Sequence, residues 1–544
     1  MSLSRHLILI GLLIQVSTFI ALAEVKPNGL ISDGMVLQQK TLVKIWGSAA
    51  PSEKVTVTFR EQTQSTVADA NGNWLLQLQS KSAGGPYPMS IAGSNTINLP
   101  NVYVGEVWVL SGQSNMEYAL WHCVGGPEAI ASSANPNLRL ITIPHTATAT
   151  PQTDVTAHWV EASPETTKNF SAVGYWFGSK LQKQLGVPVG LINDVWGGTT
   201  IEAWLSRDIL DNLPEKNKYT DYDTVKAAYD QTILQQQPIK DKYDQDVAAA
   251  LQQHLPKPPM PHLAGPLRGP SMLYNGMIAP IENYTIQGVV WYQGESNAYV
   301  GRANTYRFLL PRLIESWRAK WGQGNFPFII PQITPNRKPI SNLDPNTPSG
   351  IAVLREAQFL ALKEPNTALV VTTDLADADG DVHYKRKEPA GQRIQLAAMA
   401  LAYGDKAEFS GPLFQGAKFD AGKATISFTH VGGGLVAKDG LLTGFIIAGA
   451  DKKFVVADAK IEGDQVVVSS PLVPEPVSVR YGWADNPVPT LNLWNKADLP
   501  ASPFRTDDWP LPGEGAVPLE PGQPDVSGVP KNIPVETTTN APPR

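Results

Sequence analysis

A chain of 544 residues is too long for one hydrophobic core and is expected to divide into two or three packed units. Its 42% apolar and 17% charged residues, with 45 Gly and 46 Pro, describe a turn-rich globular protein and exclude a disordered or fibrous one. A formal net charge of -6 without a basic run argues against nucleic acid as a partner, because that binding relies on Lys and Arg neutralising phosphates.

At the N-terminus, Arg5 and His6 precede an apolar run over 7–22, and Ala21-Leu22-Ala23 is a small-x-small cleavage site. Residues 1–23 are therefore expected to be an export signal, leaving a periplasmic or secreted chain that starts at Glu24. No later segment reads as a membrane span. Cys123 is the single cysteine, so no intrachain disulfide can form and stability must come from packing. Over 24–104, strand-like stretches at 42–46, 55–59, 65–68, 74–78 and 89–92 are separated by turn signals such as Asn71-Gly72. They predict an N-terminal β-sandwich.

Residues 105–404 change character. An apolar run at 107–110 ends in Ser111-Gly112-Gln113-Ser114-Asn115-Met116; a helix is predicted at 175–185 and a buried strand at 189–192, followed by Trp196-Gly197-Gly198-Thr199. Strands at 288–292, 326–333 and 368–372 alternate with helices at 306–321 and from about Pro389. That alternation predicts a doubly wound parallel sheet with its functional loops at the carboxyl ends of the strands. A polar, Gln-rich insert at about 208–261 is expected to form one or two exposed helices. Strand patterns return over 405–509, and the Pro-rich tail at 510–544 is expected to be disordered.

Four strand ends carry residues able to do chemistry. Ser114, just past a buried strand and beside a glycine, can expose a hydroxyl, but a serine is a weak nucleophile without a base and oxyanion donors. His383 in Asp379-Gly380-Asp381-Val382-His383 is the candidate base, with Asp381 or Asp379 available to orient its ring. The EF-hand ligand pattern is not completed around this Asp-Gly-Asp loop. For the oxyanion, the N-H groups of Ser114 and of Gly197 or Gly198 are candidates, together with the Gln293 amide in Trp291-Tyr292-Gln293-Gly294-Glu295.

These segments resemble the blocks of SGNH-type hydrolases, and their wording resembles the sialate O-acetylesterase family and related carbohydrate acetylesterases. The matching text is MVLQQ (35–39), GEVWVLSGQSNME (105–117), WGGTTIEAW (196–204), LYNGMIAP (273–280), GVVWYQGESNA (288–298), LREAQ (354–358), DVHYK (381–385) and ASPFRTDDW (501–509). The resemblance implies a three-layer α/β/α esterase domain with accompanying β-sandwich domains, acting on O-acetylated sugars without a metal or organic cofactor. It implies Ser114 as nucleophile, His383 as base, Asp381 as orienting acid, an oxyanion hole from Ser114, Gly197 or Gly198 and Gln293, and a supporting role for Glu295. Two positions depart from the commonest pattern: Gly380 stands where an acid three residues before the histidine is usual, which leaves Asp379 or a backbone carbonyl open as alternatives. Met116 stands where an α/β-hydrolase elbow has its second glycine.

The polymer is left open. A cation such as Arg268 or Arg355 in the cleft would suit the carboxylate of a sialic acid, whereas a neutral aromatic groove would suit acetylated xylan or xyloglucan. Trp196, Tyr292 and Tyr384 are the candidate aromatic surfaces. A non-catalytic carbohydrate-binding protein would suit the strand-rich regions, but it has no chemical need for Ser114, His383 and both donor segments together.

Overall fold

Eight strands open the described part of the chain in this computed structural model: β1 (Lys26–Pro27), β2 (Val36–Gln38), β3 (Leu42–Ser48), β4 (Lys54–Phe59), β5 (Gln62–Val67), β6 (Asn73–Gln79), β7 (Gly84–Ala92) and β8 (Thr96–Gly112). The structure describes residues 24–214, 216–259, 261, 269–339, 346–487 and 491–511; the expected export signal, Arg268 and residues 512–544 of the expected disordered tail lie outside them. Strands β1, β3 and β6 form one antiparallel sheet, while β4, β5, β7 and the first part of β8 form the other. Alternate residues Val43, Ile45, Val55, Val57, Trp74, Leu76 and Leu78 are buried, the period-2 pattern of strands with one face inward.

The β8 strand also enters a second sheet. Its residues Thr96–Val104 pair antiparallel with β7, and Glu106–Gly112 pair in parallel with later strands. The position expected to separate two units, between 104 and 105, thus lies inside one continuous strand. A polar clamp stiffens the passage: Gln38 Nε2 donates to Glu106 Oε2 (2.9 Å), and Gln38 Oε1 accepts from the Val107 N-H (2.8 Å).

The mixed sheet continues with β9 (Asn135–Thr142), β10 (Val160–Ala162), β11 (Val189–Val195), β12 (Gly288–Tyr292), β13 (Phe328–Pro331) and β14 (Thr367–Val370). Their order is β10-β9-β11-β8-β12-β13-β14, parallel apart from the β10 edge. Val107 and Val109 of β8 enter the core shared with the sandwich, whereas Trp108 and Leu110 face the helices Ala172–Leu185 and Glu388–Tyr403. A strand covered on both faces must be apolar throughout, so the 107–110 run shows no alternation. After β8 the chain builds β9 to β11 on one side and then crosses to β12 on the other. The strand order reverses at β8, and in open α/β sheets ligands bind outside the carboxyl ends at such a point.

The insert forms a short helix at Arg207–Asp211 and a long one at Tyr222–Gln252, which has no fully buried residue and carries the ion pairs Lys226–Asp230, Lys240–Asp244 and Lys242–Asp246. No helix among the described residues is long and apolar enough to cross a membrane.

Beyond residue 405 two four-stranded antiparallel sheets enclose a separate core around Ile426, Phe445, Val468 and Phe504. This region docks on the α/β unit through Arg505, which reaches Glu356 (2.6 Å) and Asp507 (3.2 Å); Asp507 also accepts from Arg480 (2.7 Å). The ASPFRTDDW segment is therefore a docking element, not a part of the candidate site.

Candidate active site

At the end of β8, Gly112 lies between Val195 of β11 and Tyr292 of β12. Its φ is +131°, and a Cβ there would collide with the Tyr292 carbonyl oxygen, so only glycine lets the three strand ends close up. The Gln113 N-H donates to the Tyr292 carbonyl (3.0 Å) and the Trp196 N-H to the Gly112 carbonyl (3.0 Å). The chain then turns into the single helical turn Ser114–Glu117, with Ser114 half-buried at its first position. There the Ser114 N-H has no intrahelical acceptor.

Gly197 closes one side. A Cβ on it would sit 3.2 Å from Ser114 Cβ, and its N-H donates to Glu117 Oε2 (2.5 Å). Glu117 Oε1 lies 3.1 Å from His145 Nε2, and the His145 ring stacks on Trp196 at 4.2 Å and 8°. The Gly198 N-H has no acceptor among the described residues. Of the two glycines, Gly198 is thus the one with a free donor.

His383 lies in the loop between β14 and the Glu388–Tyr403 helix. Asn115 Nδ2 donates to the Val382 carbonyl (3.0 Å), which ties the residue after Ser114 to the residue before His383. The His383 ring stacks on Tyr118 (5.9 Å, 24°). Asp381 Oδ1 accepts the His383 backbone N-H (2.9 Å) and lies 3.8 Å from Nδ1, whereas Asp379 accepts from the Asp381 N-H (3.0 Å) and lies 3.9 Å from Lys385 Nζ. Asp381 is the carboxylate beside the ring. Burial pulls the His383 imidazole below its ordinary pKa, the Lys387 charge adds to this, and Asp381 opposes it. Gly380 has a φ of +73° and a Cβ there would collide with the Arg337 carbonyl. That crowding accounts for the missing acid at position 380.

Three expectations need correction. The Gln293 amide is fully buried and its Nε2 faces three acceptors, Gln113 Oε1 (3.1 Å), the Thr199 carbonyl (3.0 Å) and Asn297 Oδ1 (2.9 Å), while its Oε1 accepts from Tyr306 (2.7 Å). It braces the strand ends and aims no free donor at Ser114. Tyr292 and Tyr384 are buried, their hydroxyls 3.2 Å apart, and offer no surface to a sugar. Arg355, also buried, donates to the carbonyls of Ile333 (3.0 Å), Ala484 (3.0 Å) and Asp485 (3.2 Å). It joins the C-terminal region to the α/β unit, and its full burial keeps its remaining N-H groups away from a carboxylate ligand. Trp196 alone of the named aromatics is partly exposed at the site.

A family model described as carbohydrate esterase, sialic acid-specific acetylesterase, matches residues 104–257 and 265–400. The chain belongs to this family. Among the relatives of this sialic acid-specific acetylesterase family member is the sialate O-acetylesterase of Homo sapiens, 30% identical over 74% of this chain and 75% of its own. That of Mus musculus is 29% identical over 74% and 78%. In structure the chain is similar to a carbohydrate acetylesterase from Xanthomonas citri at 34% identity and a TM-score of 0.75, covering 89% of this chain and all of the other. It is an ester hydrolase, a carbohydrate acetylesterase of the sialate O-acetylesterase type, with an acetylated carbohydrate as substrate.

In this family member the site contains residues that sequence reading did not single out. Asn115 connects three segments: its Nδ2 also donates to Glu295 Oε1 (2.5 Å) and its Oδ1 accepts from Lys387 Nζ (2.5 Å). Burial holds the Glu295 carboxyl above its usual range, against the Asn115 hydrogen bond. Asn115 and Glu117 lie within the GQSNME text and Lys387 two residues past DVHYK, so proximity to a motif was their only signal. His145 follows β9 in a loop with no motif at all.

Proposed function

We propose that the acetylesterase works through a serine acyl-enzyme with Ser114 as nucleophile and His383 as base. The observation that carries this reading is the Asn115–Val382 hydrogen bond, which holds the Ser114 turn and the His383 loop together at the switch point of the sheet. Ser114 Oγ attacks the acetyl carbonyl carbon as its proton passes to His383, and the C=O electron pair moves onto oxygen. The N-H groups of Ser114 and Gly198 receive that oxyanion. Collapse breaks the bond to the sugar oxygen, which leaves with the proton from His383. Water, deprotonated by His383, then attacks the acetyl-serine; the bond from the acyl carbon to Ser114 Oγ breaks, Oγ takes the proton back from His383, and acetate is released. Asp381, 3.8 Å from Nδ1, orients the ring.

We further propose that the physiological substrate is a neutral acetylated glycan such as xylan or xyloglucan. Arg355 is fully buried against backbone carbonyls, and the Glu117 carboxylate holds the N-H of Gly197, the residue packed against Ser114. A carboxylate-bearing sialic acid meets a like charge there, while the partly exposed Trp196, stacked with His145, offers a sugar apolar surface. The chain acts after export, with Glu24 as its first residue. Acetate release by the mature protein and by Ser114→Ala from O-acetylated sialic acid, acetylated xylan, acetylated xyloglucan and a chromogenic acetate tests both statements. Release that disappears in the folded variant supports the serine mechanism, and release by the variant at the wild-type rate overturns it. Preference for the sialic acid overturns the neutral-glycan reading.

A further inference from the structure

Lys387 is fully buried, an unusual place for a lysine, which is seldom removed from water without an ionic partner. It precedes the Glu388–Tyr403 helix, where the positive end of the helix dipole makes a cation unwelcome. Its Nζ lies 3.5 Å from the Tyr384 ring centroid and 5.0 Å from that of Tyr118, the ring stacked on His383. Among the described residues its one hydrogen-bond acceptor is Asn115 Oδ1 (2.5 Å), and Asn115 Nδ2 continues to Glu295 Oε1 (2.5 Å) and the Val382 carbonyl (3.0 Å). An ammonium and a carboxylate are thus held one amide apart. That amide belongs to the neighbour of Ser114 and grips the neighbour of His383.

The surroundings are specific. Glu295 faces Lys387 from the end of β12, Asp377 and Asp381 from the His383 loop, and Cys123 from the Leu120–His122 turn; burial pushes the Cys123 thiol up to about 12, so it stays neutral. Around His383 stand Tyr118, Asp381 and Lys387. Burial pulls the Lys387 amine down to about 7, with Glu295, Asp377 and Asp381 working against it. In the acid range, where His383 gains a proton, Lys387 therefore already carries its charge.

We propose that Lys387 is a positioning residue that acts through Asn115, locking the Ser114 turn against the His383 loop, and that its charge opposes a second positive charge on His383. The proposal rests on reading Ser114 and His383 as nucleophile and base. An apolar side chain of similar length would fill the space but would leave Asn115 Oδ1 without its donor, freeing the amide to rotate. A misplacement of about 1 Å between reacting groups costs on the order of 100-fold in rate.

The test compares the mature wild type with Lys387→Met, Lys387→Gln and Lys387→Arg, reading kcat, KM and the pH profile of kcat/KM on a chromogenic acetate, with circular dichroism as the check on folding. Lys387→Met removes donor and charge: kcat is expected to fall by about 10- to 100-fold at nearly constant KM, and the acid limb to move to higher pH, because His383 protonates more readily. Lys387→Gln keeps a donor without the charge and is expected to lose less than about tenfold in kcat while showing the same shift of the acid limb. Lys387→Arg keeps the charge, and its acid limb is expected to stay where the wild type has it. An acid limb unmoved in both Met and Gln variants, or moved equally in the Arg variant, overturns the proposal; where the Met variant does not fold, the Gln and Arg variants decide. Failure of the serine reading is separate, because it appears as acetate release by Ser114→Ala.

Discussion

Gly112 and Tyr292 approach so closely that the Tyr292 carbonyl occupies the space a Cβ on Gly112 would need, and the same carbonyl accepts the Gln113 N-H at 3.0 Å. The placement of Ser114 thus depends on an absent methyl group two residues earlier. Gly112→Ala meets two obstacles, a φ of +131° and the collision itself. Together they cost about 2–5 kcal/mol, or displace the turn instead. The expected outcome is a lowered Tm with at least about a 100-fold loss of kcat in the folded fraction. A variant with wild-type kcat would show that the strand-end register does not place the nucleophile.

With His383 as the proposed base, the pH dependence follows from its environment. Its burial and the nearby Lys387 hold the imidazole below its ordinary pKa. A base must be neutral to accept a proton, so kcat/KM is lost as pH falls through the lowered value and is already on its plateau at neutral pH. Measured on a chromogenic acetate, the acid limb should lie below the ordinary histidine value. A limb above it would place the titrating base elsewhere.

Gln293 separates bracing from oxyanion stabilisation. Loss of an oxyanion donor typically costs about 100- to 1,000-fold in kcat with little change in stability. Gln293→Ala instead removes the partner of the Thr199 carbonyl and one acceptor of the Tyr306 hydroxyl, and it leaves a cavity. The expected loss is about 3 kcal/mol of stability, seen as a lower Tm, with kcat of the folded enzyme reduced less than about tenfold. An unchanged Tm with a collapse of kcat would return the amide to the oxyanion hole.

Arg355 is predicted to matter for cohesion, not for binding. Its three carbonyl acceptors lie on both sides of the junction, and burial pulls the guanidinium down to about 10. Arg355→Met leaves those carbonyls unpaired, so limited proteolysis should release the C-terminal region at lower temperature than in the wild type. KM for a sugar acetate should stay within about twofold, because no ligand is expected within reach of the side chain. A large rise in KM without loss of cohesion would reinstate it as a substrate contact.

The legible part of this fold is the part written in local patterns. The apolar 107–110 run announced a buried strand, and the four strand-end segments announced where the candidate loops lie. What sequence did not carry is the direction in which a side chain leaves its strand end. Tyr292 and Gln293 stand beside the site in sequence, yet one packs into the core and the other braces three neighbouring segments. Arg355 looked like a ligand for anions because its carbonyl partners, Ala484 and Asp485, are about 130 residues away. Lys387 was invisible for the opposite reason: a lysine is read as solvent-facing unless a buried partner is known.

Glu117 offers the last test, and it concerns which sugar is accepted. Its Oε2 holds the Gly197 N-H at 2.5 Å, and Gly197 packs against Ser114, so with Ser114 as the proposed nucleophile the charge lies near the substrate acetyl group. Glu117→Gln keeps an acceptor for that N-H and the same shape but removes the charge. A unit charge about 8 Å away in a mostly solvated cleft contributes about 0.5–1 kcal/mol, hence a factor of about two to five in relative kcat/KM. The ratio of O-acetylated sialic acid to acetylated xylan turnover should rise by that factor, and the rise should shrink as salt is added. A ratio unchanged at low salt would mean that the Glu117 charge does not reach the sugar, and substrate choice would then have to be sought in the walls formed by Trp196 and His145.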